Sequence, residues 1–290
     1  MAEPGSRGRL VIERIRELPT LPEIYDRLAA AADDPDSSVW DVEKIVRQDP
    51  ALTGKLLRLV NSAFYGLRRP VSTVAQAVLV VGHDALKQMV LTTSVISLFR
   101  DNGSAPLPYR DYWAHCVATA AAARQLALCL GEEHPEEFFV AGLLHDIGKL
   151  IHSEYLPELF NRALVVAKAE RLPLIQAERE VMGLSHDETG GLLASRWKLA
   201  PAIQRAVASH HAPTLAANET VALHEHVVHC ADIISNGMGL GFGGSYRLPP
   251  LTPLSWELLR LSTGHLAQAV RATKSEFPAL MKTLFDGHGS

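Results

Sequence analysis

Cysteine, aromatic side chains and charge of one sign are all scarce in this chain. Its 290 residues hold three cysteines, Cys116, Cys129 and Cys230, an odd number set far apart. They do not make a disulfide framework and read as reduced packing thiols, although Cys116 and Cys230 sit close in sequence to His115 and Asp232. Aromatics are 6% of the residues and the formal net charge is −4. No basic stripe recommends DNA or RNA as a partner. No run of about 18 apolar residues occurs, so no helix is expected to span a membrane. The N-terminal stretch has Arg7 and Arg9 but no apolar segment of the signal-peptide kind, and the expected location is the cytoplasm. Hairpin signals are missing too. Asn102-Gly103 leads into a proline-containing loop rather than a second alternating segment.

What the chain does have is helical periodicity. Ile24, Leu28 and Ala31 form one stripe; Ile45, Leu52, Leu56, Leu59 and Val60 form another, with Asp49-Pro50 opening its later helix. Val74, Ala77, Val78 and Val81 give a third stripe that Gly82 ends, and Leu86, Met89, Val90, Thr93 and Ile96 a fourth. Residues 61–66 read as a helix end with Gly66 at C′. The loop at 101–108 is the best linker, dividing an N-terminal subdomain (1–104) from a C-terminal one (105–290). In the second part, helices are expected over 109–130, over 135–152 and from Pro201 to His210-His211. Another covers 221–236. Ser185 and Glu188 fit a capping box that puts His186 in a first turn. The glycine- and proline-rich segment 237–253 is expected to be a long loop over a site.

Against this apolar background stands a series of imidazoles and carboxylates: His115, His145-Asp146, His186, His210-His211 and Asp232. Desolvating an unpaired polar group costs about 1–3 kcal/mol, so such residues in apolar helices need partners. Neutral imidazoles with carboxylates suit Zn, Mn, Fe or Ni. His224, His226 and His229 form a second local group, expected to be partly exposed, with His229 a candidate partner of Asp232. His83, His134, His152, His265 and His288 suggest no role. Arg58, Arg68 and Arg69 read as a solvated face.

Three motifs carry a resemblance. They are Leu18-Pro-Thr-Leu-Pro-Glu23, the stretch from Asp49-Pro-Ala-Leu52 through Asn61-Ser62 to Gly66, and Val74 to Leu86 with Gly82-His-Asp84 inside it. Together they resemble the HDOD family, all-helical bacterial signalling modules related to the HD metal-dependent phosphohydrolases. The resemblance implies an all-α fold, an N-terminal helical bundle packed on a C-terminal HD-like domain. It further implies a single-metal set at His115, His145, Asp146 and Asp232. His186, His210 and His211 resemble the additional histidines of two-metal HD-GYP phosphodiesterases, and Lys149 the lysine of their His-Asp-x-Gly-Lys motif. Asp111, one helical turn before His115, sits where some of those proteins place a carboxylate ligand. One departure is plain: Ala212-Pro213-Thr214-Leu215 follows the paired histidines, where the HD-GYP enzymes carry Glu and then a Gly-Tyr-Pro segment.

The expected cofactor is one or two divalent transition-metal ions, with Asp146 the natural bridge between two. The expected function is signalling, through protein partners or a small phosphorylated ligand. The alternative is a phosphohydrolase acting on a nucleotide or cyclic dinucleotide, with Asp146 and Lys149 as its catalytic residues and Lys149 holding a phosphate as a point charge.

Overall fold

A computed structural model of the chain describes residues 18–34, 36–99, 103, 105–215 and 219–285; the side chains of 33 and 219–222 are outside that description. Every regular element among the described residues is a helix. The N-terminal helices are α1 (Glu23–Asp33), α2 (Val39–Val46), α3 (Pro50–Val60), α4 (Val74–Val81) and α5 (His83–Leu98). There follow α6 (Tyr109–Leu130), α7 (Pro135–Leu144), α8 (Ile147–Tyr155), α9 (Pro157–Glu170), α10 (Leu174–Met182), α11 (His186–Arg196) and α12 (Pro201–Ser209). The last are α13 (Glu219–Met238), α14 (Pro253–Leu259) and α15 (Thr263–Phe285).

The chain clusters into two compact units. One comprises residues 20–100 and 272–290, the other 1–19 and 101–271. The end of α15 thus groups with the N-terminal helices. Most of the expected linker, residues 101, 102 and 104, lies outside the described residues.

In the N-terminal unit, local chemistry sets the helix starts. The Ser38 and Asp41 side chains make a capping box for α2, Asp49 caps α3 with Pro50 in its first turn, and Thr73 caps α4. Helix α5 is buried from Gln88 to Ile96 on every face, the mark of a central core helix. The segment from Asn61 does begin at a helix end, with Asn61 as the C-cap of α3. Helix α3 stops at Val60, and the Asn61 carboxamide clamps the main chain of Val71 through both its oxygen (2.7 Å) and its nitrogen (2.8 Å). Gly66 lies in the following turn with φ +58°, beyond any C′ position of α3.

The C-terminal unit is built around α6, whose Ala-rich middle is fully buried. Small side chains there let neighbouring backbones approach. A Cβ on Gly142 of α7 would lie 2.9 Å from the Ala120 Cα and the Thr119 carbonyl oxygen. Helix α6 packs on α7 and α13, α13 on α12, α12 on α11, and α11 on α8. A cluster of Ala122, Ala123, Leu126, Phe138, Val227, Ala231 and Leu259 fills the space between α6, α7, α13 and α14.

The expected helix over 135–152 is interrupted. Residues His145 and Asp146 form a turn between α7 and α8, with Asp146 at φ −100°, ψ 10°. Helix α8 then meets the start of α11 backbone to backbone, and a Cβ on Gly148 would collide with the His186 carbonyl.

Candidate metal centre

Five separate parts of the C-terminal unit deliver side chains to one buried place. His115 comes from α6, His145 and Asp146 from the α7–α8 turn, His186 from the first turn of α11, His210 and His211 from the end of α12, and Asp232 from α13. They fall into two adjoining groups: His115, His145 and Asp232, and Asp146, His186, His210 and His211, the potential ligand atoms of each lying within 4.8 Å of one another. All are buried except His211, which is half-buried.

Asp146 faces both groups. Its Oδ2 lies 3.3 Å from His145 Nε2 and 3.5 Å from His115 Nε2; its Oδ1 lies 3.3 Å from His186 Nε2 and 3.7 Å from His210 Nε2. Asp232 Oδ1 closes the first group, 3.2 Å from His115 Nε2 and 3.7 Å from His145 Nε2. In the second, His186 Nε2 and His211 Nε2 are 2.8 Å apart.

The far nitrogens of four of the histidines, His115, His145, His186 and His210, are tied down. His145 Nδ1 donates to the Gly142 carbonyl (2.7 Å) and His210 Nδ1 to the Val207 carbonyl (3.0 Å). His115 Nδ1 lies 3.4 Å from the Ser235 hydroxyl, which also meets Thr119. His186 Nδ1 meets a carboxylate, Glu178 Oε2, at 2.5 Å. Because carbonyls and carboxylates only accept, Nδ1 of His145, His186 and His210 carries its proton, and their Nε2 atoms are turned inward. Asp146 Oδ1 and His210 Nε2 are buried with no hydrogen-bond partner. An orphaned carboxylate oxygen beside an orphaned imidazole nitrogen is costly to bury, and a cation placed between them would satisfy both. The donor set, histidine nitrogens with two carboxylates, therefore fits a divalent transition metal.

The carboxylates and histidines of the two groups perturb one another. Burial by itself would lower the pKa of His145, but the Asp146 and Asp232 carboxylates outweigh it and hold it at about 9. Burial and then the neighbouring His145 press His210 down to about 3. Both Asp146 and Asp232 stay well below the usual carboxylate range: burial opposes ionisation, and the charges and hydrogen bonds of neighbouring histidines outweigh it, with Lys149 adding to this at Asp146. Glu178 is held low in the same way by His186 and His152.

Lys149 is buried and engaged at both ends of its reach. Its ammonium donates to Asp146 Oδ2 at 2.5 Å and to the Gly243 carbonyl at 2.8 Å. Gly243 belongs to the 239–252 loop, which lies over the first group. A Cβ there would come within 2.7 Å of the His115 ring, and Gly241, at φ +79°, lies so close to α6 that a Cβ would overlap the main chain of Asp111 and His115. The Phe242 amide donates to the Asp111 carbonyl at 2.9 Å.

The HDOD domain model matches residues 18–213, about two thirds of the chain. The chain belongs to the HDOD family. It is similar to an HDOD domain protein of unknown function from Geobacter sulfurreducens, with a TM-score of 0.81, 29% identity and 97% of each chain covered. It is also similar to a candidate phosphohydrolase from Shewanella amazonensis, with a TM-score of 0.75, 25% identity, and 94% of this chain and 97% of that one covered. An uncharacterised Treponema pallidum protein is 25% identical over 202 residues, 69% of this chain but only 39% of the relative's length. Asp232 and the covering loop of this HDOD protein lie past the matched residues.

Several residues stand differently from what their sequence context suggests. Asp111 is exposed and in neither group; its main-chain carbonyl, not its carboxylate, is what the loop uses. His224, His226 and His229 are buried, not partly exposed, because α13 runs through the interior of the unit. His224 stacks on Phe138, His226 meets Ser255, and His229 donates to the His210 carbonyl (2.7 Å) while accepting from the Thr252 amide (3.2 Å), so it supports the second group rather than Asp232. His152 has partners on both nitrogens, Glu178 and Thr189. Glu178 gave no signal as a motif. What could have revealed it is its place in the stripe Leu174, Ala177, Glu178, Met182, where a carboxylate occupies a buried position.

Proposed function

We propose that this HDOD protein is a bacterial signalling module whose C-terminal unit holds one or two divalent transition-metal ions, and that it acts by binding a partner protein or a small phosphorylated ligand. The observation that carries this is the placement of Asp146, with one carboxylate oxygen toward each of two buried histidine groups. His115, His145 and Asp232 would hold one ion, and His186, His210 and His211 the other. The enclosure of the centre favours a regulatory role. The loop main chain lies on the first group, and the Lys149 ammonium is engaged by Asp146 and Gly243 rather than left open to a substrate. The segment after His211 also lacks the substrate-contacting residues of the HD-GYP enzymes. Three unpaired cysteines fit a reducing cytoplasm.

The second reading is a metal-dependent phosphohydrolase, favoured by the half-buried His211, which gives the second group an opening, and by the Shewanella relative. A bound ion would act there as a Lewis acid on a phosphoryl oxygen and would lower the pKa of water. Lys149 would have to leave the Gly243 carbonyl to reach a phosphate.

One experiment separates them. Metal content is measured on protein purified without an affinity tag, beside Asp146→Ala, and phosphomonoesters and phosphodiesters are then tested with Mn, Fe, Ni, Zn and Mg loaded separately. Bound ions that Asp146→Ala loses, without turnover, support the signalling reading. Turnover that Asp146→Ala abolishes supports the hydrolase. No metal in the wild type, before or after reconstitution, overturns both.

A further inference from the structure

We infer that Glu178 is a positioning residue that sets the occupancy of the second metal group, and that the two groups are chemically unequal because of it. This rests on the metal-binding reading above. In the first group, the far nitrogens meet neutral oxygens, the Gly142 carbonyl for His145 and the Ser235 hydroxyl for His115. In the second, His210 likewise leans on a carbonyl, but His186 leans on a fully buried carboxylate. The same Glu178 oxygen also accepts from the His186 main-chain amide at 2.9 Å, so the ring and the first turn of α11 are fixed from one point. Its other oxygen meets His152 Nδ1 at 3.1 Å, and His152 Nε2 meets the Thr189 hydroxyl at 2.8 Å, one turn beyond His186 on α11. The carboxylate is thereby held by α8 and α11 and cannot turn away from His186.

A carboxylate behind an imidazole fixes its tautomer and makes the inward nitrogen a better donor. It also adds a negative charge beside a group that, among the described residues, has Asp146 as its one carboxylate ligand candidate. Losing such a partner typically lowers metal affinity 10–100-fold. The second group, half-open at His211, depends on that contribution. The first, with Asp232 of its own, does not.

The test is metal stoichiometry and affinity in full-length wild type, Glu178→Gln and Thr189→Val, with Co(II) as the probe and circular dichroism as the folding check. Thr189→Val releases only the outer bond to His152 and is expected to keep the wild-type stoichiometry. Glu178→Gln is expected to lose the weaker of two ions, or to bind it 10–100-fold less tightly, and to lose its part of the Co(II) visible spectrum. If Glu178→Gln does not fold, Glu178→Asp, which keeps the charge but retracts it by one methylene, is expected to show the same selective weakening. Two ions bound with wild-type affinities and spectrum in the folded Glu178 variant overturn the inference while leaving the metal reading intact. A wild type with one ion supports it if Glu178→Gln weakens that ion and overturns it if not. A wild type with no ion removes both.

Discussion

At the scale of single residues, the centre depends as much on what is missing as on what is present. Gly148 follows the His-Asp pair by two positions, and its lack of a side chain lets α8 lie directly on the His186 main chain. Gly148→Ala would force the two backbones apart. The expected loss is about 1–3 kcal/mol of stability, the usual range for overpacking, together with weaker metal uptake because His186 moves with the backbone. Gly237 is the control. It lies within α13, is exposed, and has open space where a Cβ would go. Gly237→Ala is expected to stabilise by about 0.5–1 kcal/mol, since alanine loses less backbone entropy in a helix. Urea titration of both variants checks the pair; equal stability of Gly148→Ala and wild type would contradict the backbone contact.

At the scale of elements, what was legible in the sequence was local. Asp49-Pro50 and the Ser185–Glu188 capping box announce helix starts because the cap and its target are three residues apart. The break at His145-Asp146 was not legible. No proline marks it, and the apolar run from Phe138 to Ile151 reads as continuous; the turn is imposed by packing of α7 on α6 and of α8 on α11. The link between His152 and Glu178 spans 26 residues and exists only once α8 and α10 are in place. The same holds for His224, His226 and His229, whose clustering in sequence suggested a wet face. Element ends also carry strain. Helix α9 ends at Arg171 in the left-handed region, φ 53° and ψ 39°, an exposed site where glycine would sit without a Cβ clash. Arg171→Gly is expected to gain about 1 kcal/mol, seen as a rise of roughly 2–4 °C in Tm. An unchanged or lower Tm would show that the Arg171 side chain contributes more than the strain it brings.

At the scale of the whole molecule, every candidate ligand except Asp111 converges, and all of them belong to the unit of residues 101–271. That distribution sets where a metal ion can act. An ion that binds only the folded form stabilises it by about 2.7 kcal/mol at a free concentration 100 times its Kd. The stabilisation enters through the elements that hold the ligands, α6, the α7–α8 turn, α11, α12 and α13. Among the described residues, none of the helices α1–α5 contributes a ligand. Chelation followed by hydrogen exchange is therefore expected to raise exchange rates in the ligand-bearing helices and leave α1–α5 unchanged, with Asp146→Ala showing the chelated pattern whether or not metal is added. Acceleration of α1–α5 to the same extent would show that the two units open together, so that metal occupancy is transmitted to the part of the chain that supplies no ligand. Exchange unchanged in α1–α5 would instead mean that a partner or ligand senses the ion through the unit of residues 101–271 itself, so that the signalling reading has its responsive surface on the ligand-bearing helices.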